Sequence, residues 1–134
     1  MKKNFGFTLL EMVVVLVMMG IVTSLALPGL QKMYDSVSAS LERKDVAMAI
    51  NRLALDVRQS GRPLTLENYP SDISKVPKTF SARLSELDVS LQFKEPLVIT
   101  ANGFCPYENI VSVIKGAQTY QLKLRAPDCR VVNE

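Results

Sequence analysis

Glu11 is the residue of this 134-residue chain whose charge is most expensive to place. It stands among Leu9, Leu10, Met12 and Val13 at the head of an apolar run. A carboxylate near the middle of a membrane costs on the order of 2–3 kcal/mol or more. A cationic partner would offset that cost, yet no lysine or arginine lies between Lys3 and Lys32. A cut after Gly6 would supply one: the new α-amino group of Phe7, on the same chain or, better, on a neighbour. Other chemistry is thin. Histidine is absent, which removes the commonest general base and the commonest metal ligand. Asp56, Glu67, Asp72, Glu86, Asp88, Glu95 and Glu108 are scattered singly among basic residues, as on a solvated surface. There is no Gly-rich phosphate loop, no acidic calcium loop and no Cys/His metal spacing. Neither an enzyme nor a bound metal or cofactor is expected.

The element that must position Glu11 is the apolar run itself. Residues 12–31 are 20 positions without a charge, close to the ~20 a helix needs to cross a bilayer core. Lys2 and Lys3 precede the run, and the positive-inside bias puts them in the cytoplasm and the chain beyond Leu27 on the far side. Three readings compete: an ordinary secretory signal cut at Ser24-Leu25-Ala26, an uncut anchor, or a leader cut on the cytoplasmic side that leaves the helix on the mature protein. An ordinary signal has no use for Glu11, and Pro28 two positions past Ala26 argues against that cut.

The run Gly6-Phe7-Thr8-Leu9-Leu10-Glu11, behind a short basic leader and ahead of a long apolar helix, resembles the prepilin cleavage and methylation motif of type IV pilins and type II secretion pseudopilins. The resemblance covers about residues 2–31. It implies that prepilin peptidase cuts after Gly6 and methylates Phe7, and that Glu11 guides docking onto an adjacent subunit. It also implies a helix kink at Pro28, a single-pass protein of the inner membrane, an assembly platform there, and other pilins or pseudopilins as partners. Several pseudopilins bind calcium after the long helix, and this chain offers no matching ligand set.

Beyond Pro28, Leu30, Met33, Tyr34, Val37 and Leu41 form one helical stripe. Val46, Ile50, Leu53 and Val57 form another, nearly opposite at ~100° per residue. The second stripe is expected to pack on this chain's own domain and the first to face neighbouring subunits. Met48 and Leu55 fall off the second stripe. Ser60-Gly61-Arg62-Pro63 stops a helix that would run near 80 Å at ~1.5 Å per residue.

From Leu64 onward alternation replaces helical periodicity. Residues 87–94 read as a half-buried strand and residues 97–101 as a second. Residues 110–114 and 119–125 flank Lys115-Gly116-Ala117-Gln118, a hairpin with Gly116 in its turn. In the later strand Tyr120, Leu122 and Leu124 would face the core. A short last strand over residues 130–133 is expected, and residues 62–80, with three prolines, read as an irregular surface connection. The fold class is α+β: a long N-terminal helix, transmembrane in its first half, packed on a small antiparallel sheet. The organisation expected is a leader at 1–6, a membrane and filament-core helix at 7–27, the periplasmic half of the helix at 28–61, and a sheet domain at 62–134. Cys105 and Cys129, on the oxidising side, are expected to form a disulfide closing about 25 residues, worth roughly 3 kcal/mol in the loop-entropy picture.

Charge speaks to partners. Without Lys2 and Lys3 the chain has 14 basic and 13 acidic residues, and residues 64–134 hold 8 of each. That is no basic footprint, so nucleic acid is not expected as a partner. A patch of Lys115, Lys123, Arg125 and Arg130 is what a DNA-contacting minor pilin would use. The functional expectation is a minor type IV pilin or a pseudopilin. The alternative from another class is a soluble secreted binding module that begins at Leu27.

Overall fold

The structure is a computed structural model that describes residues 6–132. The expectations for Lys2, Lys3 and the rest of the leader up to Phe5, and for Asn133, lie outside them. The chain divides into two compact units, Met1–Leu41 and Glu42–Glu134. Helix α1 (Leu9–Ser60) begins in the first and ends in the second.

In the first unit every described residue is exposed. Pro28 lies inside α1, and the Thr23 hydroxyl donates to the Met19 carbonyl at 2.7 Å, so this polar side chain is satisfied within its own helix.

In the second unit the last turns of α1 bury Val46, Ala49, Ile50, Leu53, Ala54 and Val57. These include all four residues of the second stripe. Met48 and Leu55 stay exposed, as their angular positions require. The helix stops where Gly61 takes φ +66° and its N–H reaches the Val57 carbonyl at 3.0 Å.

Five strands follow, β1 (Leu64–Tyr69), β2 (Ser90–Ile99), β3 (Asn109–Lys115), β4 (Gln118–Arg125) and β5 (Arg130–Val132). They pair antiparallel in chain order. Their inward residues join the α1 stripe in one core, among them Leu66, Leu91, Leu97, Val111, Val113 and Leu124. The arrangement is the expected α+β one, a long N-terminal helix followed by a small antiparallel sheet.

The hairpin is as expected. Lys115 pairs with Gln118 across Gly116-Ala117, and Gly116 has φ +55°. Leu122 and Leu124 are buried, and Tyr120 is partly so.

Residues 62–80 differ from expectation. They contain β1 and the start of a second helix, α2 (Lys78–Leu87). The three prolines punctuate these elements instead of filling a loop: Pro63 precedes β1, Pro70 follows it, and Pro77 caps α2. Leu87 likewise ends α2, with Asp88 in the left-handed region at φ 54°, so the expected strand at 87–94 starts three residues later. Phe80 and Leu84 bury the inner side of α2, and the Phe80 ring meets Tyr69 edge-on at 6.0 Å.

The two strands expected at 87–94 and 97–101 are one strand, β2. Pairing with β1 steps from Leu66–Leu97 to Asn68–Gln92, a bulge that leaves extra β2 residues around Pro96. A proline is tolerated in such a bulge, where its missing N–H breaks no ladder bond. Buried Asn109 ties it down: its amide donates to the Glu95 carbonyl at 2.7 Å and its oxygen accepts the Ile110 N–H at 2.8 Å.

Candidate functional site

Gly6, Phe7 and Thr8 lead directly into α1, which starts at Leu9. The first four N–H groups of a helix lack intrahelical partners. Here the Glu11 N–H bonds the Thr8 side chain at 3.3 Å and the Thr8 carbonyl at 3.1 Å, and the Met12 N–H reaches the same carbonyl at 3.3 Å. Thr8 is thus the N-cap and Glu11 stands at the third helical position. The spacing Thr8-x-x-Glu11 is that of a capping box, a signal carried by the sequence itself.

This local geometry fixes where the acid sits. Glu11 lies in the first turn, where the unpaired N–H groups and the helix dipole favour a carboxylate. Among the described residues no hydrogen bond or ion pair engages its carboxylate. Phe7 is exposed, as are the apolar side chains that follow through Leu27. The 18-residue apolar window of this helix has none of its residues buried, which separates it from the core helix of a soluble protein.

Cys105 and Cys129 form a disulfide, with Cα atoms 5.3 Å apart. It ties the loop after β2 to the turn before β5, and the Cys105 N–H also donates to the Pro127 carbonyl at 2.9 Å. This pair belongs to the second unit and Gly6, Phe7, Glu11 and Pro28 to the first.

The four basic residues that a nucleic-acid patch would use are mostly committed. Lys115 pairs with Glu42 at 2.6 Å, Lys123 with Glu108 at 3.7 Å and Arg125 with Asp128 at 2.7 Å. The hydrogen bond from Arg125 holds the Asp128 carboxyl below the usual carboxylate range, and Lys75 does the same for Asp72. The Arg43 guanidinium lies 4.7 Å over the Tyr120 ring. The Tyr120 hydroxyl is buried with no hydrogen-bond partner. Burial, then the charge of Glu42, push its pKa up to about 12 against the opposing effect of Arg43. No group of three or more metal-ligating side chains occurs among the described residues.

A capped helix with a carboxylate in its first turn, an apolar surface left bare and a small antiparallel sheet beyond form a pilin-like arrangement, and the bare apolar helix fits a membrane anchor. Residues 1–27 match the family model of the prokaryotic N-terminal methylation motif, the prepilin signature of type IV pilins and pseudopilins. No curated protein and no solved structure matches the chain. The motif supports a type IV pilin-like or pseudopilin precursor, and it implies processing by prepilin peptidase and assembly with other pilins.

Proposed function

We propose that this chain is a minor type IV pilin or a type II secretion pseudopilin. Prepilin peptidase removes residues 1–6, cutting between Gly6 and Phe7, and methylates the new amine of Phe7. Residues 7–27 anchor the subunit in the inner membrane and then enter the filament core, with a kink at Pro28. Residues 28–61 continue the helix on the periplasmic side and residues 62–134 form the sheet domain there. The assembly platform of the inner membrane recruits it beside other subunits.

The observation that carries this reading is the motif at residues 1–27 heading a helix whose apolar surface the chain itself leaves uncovered. Assembly is driven by burying that surface among like helices. Glu11, held in the first turn, sets the register by meeting the α-amino group of a neighbour's first residue. Removing one partner of such a buried pair costs about 3–5 kcal/mol. Glu11→Ala is therefore expected to remain stable in the membrane and to be lost from filaments, read by comparing membrane and sheared-filament fractions. Normal incorporation would remove the role given to Glu11.

The deciding measurement is the intact mass and N-terminal peptide of protein purified from its native membrane. The expected chain begins at N-methylated Phe7. A chain beginning at Leu27 would replace the filament reading with a released, soluble binding module.

A further inference from the structure

A groove of about 650 Å³ lies between the last turns of α1 and the loops joined by the disulfide. Its large apolar lining residues, Met48, Leu55 and Phe104, are 57%, 56% and 51% exposed, unusually open for such side chains. Its cationic lining is entirely arginine. Arg52, Arg58 and Arg130 are three of the chain's seven arginines, and none of its nine lysines contributes.

The charges in the groove do not cancel. Asp128 is hydrogen-bonded to Arg125, which does not line the groove, and feels the charge of Arg130 more weakly. Asp56 accepts the Thr79 hydroxyl at 3.2 Å and stands 4.0 Å from Arg52. Among the described residues Arg58 and Arg130 have no carboxylate within ion-pair distance.

The walls are already fixed. Gly103, at φ +82°, sits so close to α1 that a Cβ there would lie 2.8 Å from the Ala54 carbonyl oxygen and 3.1 Å from the Arg58 Cβ. The Thr100 N–H donates to the Phe104 carbonyl at 2.9 Å, and the Phe104 N–H to the Thr100 hydroxyl at 3.2 Å. On the other side Asn51 accepts the Val131 N–H at 2.7 Å. A surface this constrained loses little further freedom when a ligand arrives.

We propose that this groove docks an acidic peptide segment of a protein partner, with carboxylates on Arg58 and Arg130 and an apolar side chain against Phe104 and Leu55. Arginine forks bind carboxylates in a bidentate way that lysine does not. Exposed aromatic, methionine and arginine side chains without lysine are the composition of protein interfaces. A phosphate-bearing partner fits less well. It would leave the three exposed apolar residues unused. This inference concerns the second unit alone and does not depend on filament assembly.

The test uses the full chain in detergent micelles as bait for a random-peptide display library, with selected peptides measured by fluorescence anisotropy. The expected consensus combines Asp or Glu with Phe, Leu or Trp. Arg58→Glu with Arg130→Glu is expected to weaken binding by about tenfold or more, and Phe104→Ala comparably. Lys94→Glu, outside the groove, is expected to change nothing. Should the double variant melt early, Arg130→Glu alone carries the test. Failure to select any ligand, a consensus without acidic residues, or unchanged binding in the arginine variants would overturn the proposal. So would displacement of the peptide by single-stranded DNA or by vesicles of phosphatidylglycerol.

Discussion

Helix α1 presents two stretches of one continuous element with opposite fates. Residues 9–41 are exposed on every side, whereas residues 42–60 bury seven side chains, six of them in the core shared with the sheet. Both stretches are apolar enough to want cover. The later one largely satisfies that need within the chain, because its apolar residues recur at 46, 50, 53 and 57 on one side, leaving Met48 and Leu55 exposed on the other. The earlier one is apolar nearly all round from Met12 to Leu27, a pattern no single sheet face can cover. The difference teaches that helical structure and helical burial are separate problems: the first is local, and the second here needs surroundings the chain does not contain.

The sharpest way to break this comparison is a matched pair of truncations. Leu53→Ala, at a fully buried site, is expected to cost about 2–5 kcal/mol. Val13→Ala, in the exposed stretch, is expected to leave the melting temperature of the detergent-solubilised chain unchanged. Equal losses from the two would show that the first stretch is covered after all. Cys105→Ser comes next, with a loss of about 3 kcal/mol from opening a loop closed across 24 residues of sequence. It should appear in thermal unfolding and be mimicked by a reductant, while the helix signal of residues 9–41 persists. Thr8→Ala is smaller, about 1 kcal/mol, and local. It should raise hydrogen exchange at the Glu11 amide without touching the sheet.

The smallest effects come from pH and belong to the second unit only. Tyr120 has its pKa raised from 10.0 to about 12. Stability tied to its neutral form is complete below pH 10 and declines between about 10 and 12, as the unfolded chain ionises first. Tyr120→Phe should remove the last phenolate to appear in an ultraviolet titration. Asp72 and Asp128 run the other way. Their depressed pKa values give stability that is present above the ordinary carboxylate range and is lost as pH falls through the lower native value. Both pairs are exposed, so Asp72→Asn should flatten the acid limb only slightly.

What was legible in the sequence follows the same division. The motif around Glu11 and the stripe Val46–Ile50–Leu53–Val57 rest on residue type and strict spacing, and both could be read directly. So could the Gly116 hairpin, because positive φ at a two-residue turn selects glycine. The stretch 62–80 resists such reading, because Pro63, Pro70 and Pro77 suggest a loop when counted together, although each stands at the border of an element. Helix α2 did leave a signal, Phe80, Leu84 and Leu87 at helical spacing, which the prolines obscured. The groove beside Phe104 was not readable at all. Its residues come from α1, the Cys105 loop and the start of β5, and they are brought together by the disulfide, the packing of Gly103 on Ala54 and the bond from Val131 to Asn51.

The order of the strands has a further consequence, for how the domain comes into being. Each strand pairs with the one before it in the chain, so the sheet can grow at one edge as successive strands become available. Every pairing after the first closes only a short loop, which keeps the entropic cost of each step low and favours rapid folding. A chain that emerges from its N-terminus would carry the α1 template first and lay strands beside it in sequence. Cys129 lies beyond β4, so in a chain that folds as it emerges its bond to Cys105 becomes available after the first four strands. In that order of events the disulfide acts as a lock on strands already laid down.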